Sequence, residues 1–248
     1  MIQIPNITSP TYDKSSVTQL NKAPKAPYSK QTVSQINNSS SKKATAQNQP
    51  SPTVQTSSVP VMKIPTLNHL LSKGQKTGIG AGIQKVRACF GWNVTDQRCD
   101  IDASAFLLGA NDKVPDDSWF VFYSQPRSPD NSTVFSVNES LTDRETIFVD
   151  LTKVNQGIKK IVLVLTINEA FEHNLNFSMV KDTYIRLLDD KTGQEILSYK
   201  LEENYPNVTS MTVAEIYLHN GTWKMNPVGN GIHEDLAGQC AKYGVQIE

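Results

Sequence analysis

The sequence predicts an all-β protein, a two-sheet antiparallel β-sandwich with few short helices, preceded by a disordered N-terminal tail. Three observations support this fold class. Short runs rich in β-branched and aromatic residues recur after about residue 65, polar turn residues separate them, and no long helical pattern alternates with them. Many short strands spaced by turns are typical of a sandwich rather than of a parallel α/β sheet.

Seven runs have the composition expected of strands. They are WFVFYS (119–124), TVFSV (133–137), TIFVDL (146–151), KIVLVLTI (160–167), TYIRLL (183–188), EILSYKL (195–201) and MTVAEIYL (211–218). The run at 160–167 is apolar almost throughout, which predicts a strand that is covered on both faces.

Local turn and helix signals predict two hairpins and two short helical segments. Asn220-Gly221 predicts a type I′ hairpin, because both central residues of that turn need positive φ. The segment DDKTG (189–193) predicts a second hairpin. Residues 233–243 predict a short helix stopped by the glycine that follows, and residues 174–182 predict one helical turn.

Composition divides the chain into residues 1–63, a disordered low-complexity tail, and residues 64–248, a folded domain. The tail is rich in Ser, Thr, Gln, Asn, Pro and Lys, and such a segment buries too little apolar surface to offset its chain entropy. Residues 1–60 contain six Lys, one Asp and no Arg or Glu, so a chain with 24 basic and 24 acidic residues leaves −5 on the remainder. An acidic domain disfavours specific nucleic-acid binding, and the dispersed lysines indicate a solvated tail.

The sequence shows no recognisable targeting signal, which favours a cytoplasmic location. The first residues, MIQIPNITSPTYDKSS, lack the continuous apolar segment of a signal peptide, and no apolar run reaches the roughly 18 residues of a membrane span. Cys89, Cys99 and Cys240 suit neither a disulfide framework nor a thiolate zinc site, because their number is odd and their spacing is wide. We therefore expect a cytoplasmic protein without a membrane span.

Motifs of the common enzyme classes do not occur, so we expect no enzymatic activity and no catalytic residue. The glycine-rich segment 73–82 matches neither a P-loop nor a dinucleotide-binding pattern, and the chain has no G-x-S-x-G nucleophile elbow. The four histidines show no metal-binding spacing: His69, His173, His219 and His233. The sequence does not exclude a catalytic pair of carboxylates, because the fold rather than the sequence spacing sets the distance between them.

Two acidic segments remain as candidate binding sites. In RCDIDASAFLLG (98–109), Asp100 and Asp102 lie directly before an apolar run, and an extended chain places both on one face. An ionised carboxylate beside a core needs solvent, a counter-charge or a metal ion. Calcium prefers oxygen-rich loops, whereas a solvated acidic loop is the alternative. Four further oxygen-bearing side chains lie between the runs at 133–137 and 146–151: Asn138, Glu139, Asp143 and Glu145.

Several segments follow, in order, the pattern of a known family. They include FGWN, CDIDASAFLL, FVFYSQPRSPDNS, NFSMVKDTYIRLLD, AEIYLHNGTWKMNPVGNG and LAGQCAKYGV. Over residues 64–248 the sequence therefore resembles the TerD-like domains of bacterial tellurium-resistance and stress proteins. The resemblance implies a two-sheet β-sandwich that binds calcium through acidic loops and has no established enzymatic activity.

The resemblance also suggests which residues bind the ion. The family motif D-x-D-A-S-A-F maps onto residues 100–106, which implies that Asp100 and Asp102 are calcium ligands. Family members are expected to hold two ions, but the second acidic loop is shortened here, so we expect at most one weak Ca²⁺ site. The shortened loop, SVNESLTDRETI, retains Asn138, Glu139, Thr142, Asp143 and Glu145.

The expected function is a non-enzymatic stress-response and tellurium-resistance-type module that binds calcium and mediates protein interaction. Its expected partners are other proteins, including those of a stress or membrane-associated complex. The alternative is a metal-independent scaffold or adaptor domain in which the calcium site is degenerate and the acidic residues are exposed.

Overall fold

A computed structural model describes residues 61–138, 142–201 and 204–246. The strands are β1 (Thr77–Gly78), β2 (Lys85–Val94), β3 (Ile101–Leu108), β4 (Phe120–Val121), β5 (Thr133–Val137), β6 (Glu145–Asp150), β7 (Lys160–Ile167), β8 (Val180–Asp189), β9 (Glu195–Lys200), β10 (Ser210–His219) and β11 (Thr222–Ile232). The helices are α1 (Ala170–His173) and α2 (Leu236–Tyr243), and 3-10 turns span Asp117–Trp119 and Phe177–Met179.

The strands form two sheets, and adjacent strands are antiparallel in both. The six-stranded sheet has the order β1-β11-β10-β7-β3-β4, and the five-stranded sheet has the order β5-β6-β2-β8-β9. One cluster of buried apolar side chains includes residues of both sheets. The predicted all-β sandwich with few short helices is confirmed.

β7 lies inside the six-stranded sheet between β10 and β3, as its continuous apolar sequence predicts. Leu163 and Val164 are both fully buried, although alternation points them to opposite faces. The inner face meets the five-stranded sheet. The outer face lies under α2, where the ring centroids of Phe106 and Tyr243 are 4.7 Å apart.

The strand predictions made from composition fail near the acidic motif. β2 (KVRACFGWNV) and β3 (IDASAFLL) contain Gly, Ala, Ser and charged residues of low strand propensity, and neither was predicted as a strand. The predicted strand at 119–124 is wrong over most of its length. Only Phe120–Val121 form β4, because a 3-10 turn precedes them and the chain reverses between Phe122 and Gln125.

The predicted turns and the C-terminal helix are present. Asn220 and Gly221 have positive φ values of 50° and 74° and join β10 to β11. The C-terminal helix begins three residues later than predicted, because the Asp235 side chain caps it by accepting a hydrogen bond from Gly238 N (2.9 Å). No helix in the described part of the chain is long and apolar enough to cross a membrane.

The described chain begins along the five-stranded sheet. Met62 N donates a hydrogen bond to Asn93 Oδ1 at the end of β2 (2.8 Å), and Leu71 N donates one to Ser198 O (2.8 Å). The second contact covers the outer edge of β9, which would otherwise expose unpaired backbone groups. Residues 1–60 of the predicted tail lie outside the described residues.

Candidate functional site

Asp100 and Asp102 stand at the start of β3, at one end of the sandwich. The backbone continues the β3–β7 ladder here, because Asn168 N donates a hydrogen bond to Asp100 O (2.7 Å). Asp102 is opposite Thr166 of β7 in the strand register. Even-numbered residues of β3 share the face of Phe106, so the Asp102 side chain belongs to the outer face beneath α2.

Glu145 reaches the same end from the other sheet. It begins β6, its side chain is buried, and its Oε2 accepts a hydrogen bond from Ala103 N (2.6 Å). This contact occupies a backbone donor of β3 beyond the short pairing with β4. The structure therefore brings a carboxylate of the shortened loop next to the residue that follows Asp102.

Asp143 is held by a positive side chain. Its two carboxylate oxygens accept hydrogen bonds from Arg186 Nε (3.0 Å) and Nη2 (2.6 Å), and Oδ1 also accepts one from the Tyr184 hydroxyl (3.0 Å). This hydrogen bonding raises the pKa of Arg186. Burial, followed by the charge of Asp143, raises the pKa of Tyr184. A metal ion at Asp143 has to compete with the Arg186 guanidinium.

The other residues of the shortened loop hold its base together. Arg144 Nε donates to Trp92 O (2.7 Å), the guanidinium carbon lies 5.6 Å from the Trp92 ring centroid, and burial lowers the pKa of Arg144. Asn138 N donates to Arg144 O (2.8 Å), and Asn138 Nδ2 donates to Thr146 Oγ1 (2.7 Å). Glu139, also a predicted ligand, lies outside the described residues.

A small cavity of about 20 Å³ lies beside Asp102 beneath α2. Two of its polar atoms, Ser104 Oγ and Thr166 Oγ1, are buried and have no hydrogen-bond partner within residues 61–138, 142–201 and 204–246. Neither residue is a predicted ligand, although strand alternation and the β3–β7 register place both near Asp102. The cavity is lined by Asp102, Ala103, Ser104, Phe122, Tyr123, Thr166, Asn168 and Leu236.

The sequence from residue 67 to residue 243 matches the family model of the TerD domain. The chain belongs to the TerD family. It is similar to the tellurium resistance protein TerD of Serratia marcescens, with 37% identity over 185 residues that cover 71% of this chain and 96% of the relative. It is also similar to general stress protein 16U of Bacillus subtilis, with 34% identity over 189 residues that cover 71% of this chain and 97% of the relative.

Solved structures agree with this TerD assignment at the level of the fold. A homologue of telluride resistance protein (TerD) from Streptomyces coelicolor matches with a TM-score of 0.51 and 19% identity, covering 63% of this chain and 94% of that chain. The crystal structure of a protein of unknown function gives a TM-score of 0.52 with 21% identity and the same coverage. At these identities the likeness establishes the β-sandwich alone.

Within the described residues of the TerD domain, one further group of side chains could hold a metal ion, and the sequence did not predict it. Single ligand atoms of Glu169, Glu172 and His173 all lie within 4.8 Å of one another, and His173 Nε2 is 3.3 Å from Glu169 Oε2. Their i, i+3, i+4 spacing on a helix could have indicated the group. Over the described ranges no such group contains Asp100, Asp102, Asp143 or Glu145.

Proposed function

We propose that this TerD-family chain is a non-enzymatic stress-response module that binds one calcium ion weakly and mediates protein interaction in the cytoplasm. The stress and tellurium-resistance role is supported by the names of relatives that match at 34–37% identity. The protein-interaction role is supported by the net −5 charge outside residues 1–60, which favours a protein partner over nucleic acid. That partner can belong to a stress or membrane-associated complex.

One observation carries the calcium proposal. The Glu145 carboxylate of β6 lies against Ala103 N (2.6 Å), which belongs to the residue after Asp102 in β3. Asp100 and Asp102 add carboxylates to that end, and carboxylate oxygen is the donor that calcium prefers. Few charged ligands and a short loop favour an affinity in the range of about 10⁻⁵–10⁻³ M.

The second candidate is a metal-independent scaffold. It is favoured by the contacts of the shortened loop, in which Arg186 neutralises Asp143 and Arg144 Nε donates a hydrogen bond to the Trp92 carbonyl. In this case Asp100 and Asp102 bind no ion, and the protein partner binds with the same affinity whether or not calcium is present.

A calcium titration of the full chain followed by ¹⁵N heteronuclear NMR tests the proposal. We expect the amides of Asp102, Ala103 and Glu145 to shift progressively with calcium and to reach saturation in the millimolar range. Titration with sodium chloride at equal ionic strength is the control, because it separates binding from screening. Equal shifts in both titrations favour the metal-independent scaffold.

A further inference from the structure

We propose that the cavity beneath α2 is the inner half of the calcium site, so that an ion bound by Asp102 takes its neutral ligands from Ser104, Thr166 and Asn168. This inference rests on the calcium binding proposed above and changes its ligand set. The ion would lie on the outer face of the six-stranded sheet, away from the Arg186 pair of Asp143.

Strand register places these oxygen donors together. Asp102 is opposite Thr166, and Ser104 is opposite Val164, so these four side chains share one face of the β3–β7 pair. Asn168 follows two residues after Thr166 and stays in the ladder through its bond to Asp100 O. The next pair along the same face, Phe106 and Val162, is apolar, so the oxygen donors form a polar island at the edge of an apolar surface.

The polar island contains two buried hydroxyl groups that make no hydrogen bond to the described part of the protein. Ser104 is 2% exposed and Thr166 is 6% exposed, and the oxygen of each side chain has no hydrogen-bond partner in the described ranges. Burying a hydroxyl without a partner is unfavourable, and native structures rarely leave two such groups in the lining of one cavity. A ligand in the cavity removes this cost.

The size and chemistry of the cavity restrict that ligand. A volume of about 20 Å³ has room for one ion or one water molecule. The lining residues include one carboxylate, one amide and three hydroxyl groups: Asp102, Asn168, Ser104, Thr166 and Tyr123. A set of side-chain oxygens with one carboxylate suits calcium, which takes 6–8 oxygens.

The same geometry supplies the ligands that the shortened loop lacks. Both oxygens of Asp143 are bound by Arg186, and Glu145 Oε2 is bound by Ala103 N. The Ser104 and Thr166 hydroxyls have no hydrogen-bond partner in the described ranges, so they can bind an ion without such a displacement. A site with a single carboxylate at its centre also accounts for weak rather than tight calcium binding.

Calorimetric calcium titration of the full chain tests this ligand set. Thr166→Val keeps the shape of the side chain and removes its hydroxyl, and we expect it to weaken calcium binding by about tenfold or more. Thr212→Val is the matched control, because Thr212 is 3% exposed on the neighbouring strand and its hydroxyl contacts Tyr243 rather than the cavity. We expect the control to bind calcium like the wild type.

A second readout is the rise in melting temperature that calcium causes. We expect Thr166→Val to lose most of that rise and Thr212→Val to keep it. Ser104→Ala is the alternative if Thr166→Val does not fold. Unchanged affinity in both cavity variants, with a loss in Asp143→Asn, overturns the inference and leaves the proposed function standing. No calcium binding by the wild type instead refutes the proposed function itself.

Discussion

Glu145 and Ala103 belong to opposite sheets, yet Glu145 Oε2 accepts a hydrogen bond from Ala103 N at 2.6 Å. The contact joins the start of β6 to the start of β3, so the acidic motif and the shortened loop meet at one end of the sandwich. Glu145 is only 5% exposed, and its charged acceptor satisfies a backbone donor that β4 does not reach.

Substitution of Glu145 should therefore affect the stability of the fold. We expect Glu145→Ala to lower the free energy of unfolding by about 1–3 kcal/mol, because Ala103 N loses its acceptor. Glu145→Gln keeps an acceptor oxygen and should cost less. Urea denaturation in the presence of a chelator measures both effects, and equal stability of the two variants would show that the contact contributes little.

The Asp143 and Arg186 pair gives a second stability prediction. Arg186→Met leaves a buried carboxylate without its counter-charge, and we expect a loss somewhat below the roughly 3–5 kcal/mol seen for fully buried pairs, since the Arg186 side chain is 20% exposed. Arg98→Met is the control, because Arg98 pairs with Asp96 in an exposed loop and should change stability little. Similar melting of both variants would contradict the buried-pair description.

Leu163 tests the prediction that β7 is covered on both faces. It is fully buried, so Leu163→Ala should leave a cavity and lower the free energy of unfolding by about 2–5 kcal/mol. Leu70→Ala makes the same chemical change at a residue that is 52% exposed and should cost much less. Wild-type-like urea denaturation of Leu163→Ala would place β7 outside the core.

The buried cysteines predict a loss of stability at alkaline pH. Burial raises the pKa of Cys240 from 9.0 to about 12 and that of Cys99 to about 11. The unfolded chain therefore loses these protons first, so their contribution to stability is complete below about pH 9 and declines as the pH rises toward 12.

Cys240→Ala isolates this effect, because a cavity cost does not vary with pH. We expect the free energy of unfolding of the variant to decline less steeply above pH 9 than that of the wild type. Chemical denaturation at a series of pH values measures both slopes. Parallel slopes would show that the Cys240 thiol titrates normally in the folded protein.

Local sequence patterns predicted β7 and the hairpin at Asn220-Gly221, whereas they failed for β2, whose sequence depends on tertiary contacts. KIVLVLTI is apolar on both faces and coincides with β7, and Asn220-Gly221 forms the predicted hairpin. β2 was not predicted because Gly91 interrupts its strand-like pattern. This position requires a glycine because of a contact with another strand. A side chain at Gly91 would meet the Tyr184 ring at 2.3 Å.

The carboxylates of the candidate site could be predicted from the sequence, but the residues that contact them could not. Asp100 and Asp102 stand out because they adjoin an apolar run. The pairing of Asp143 with Arg186 joins β8 to a loop 43 residues earlier, and no local pattern reports such a contact. The same applies to Thr166, whose meaning depends on its register with Asp102.

Calorimetric titration of the full chain with calcium, for the wild type and for Asp102→Asn, tests the central claim most directly. Asp102→Asn keeps the shape of the side chain and removes its charge. We predict saturable heat for the wild type with a dissociation constant of about 10⁻⁵–10⁻³ M and no saturable heat for the variant. Absence of heat from the wild type at millimolar calcium, or unchanged binding by Asp102→Asn, would contradict a calcium site at Asp102.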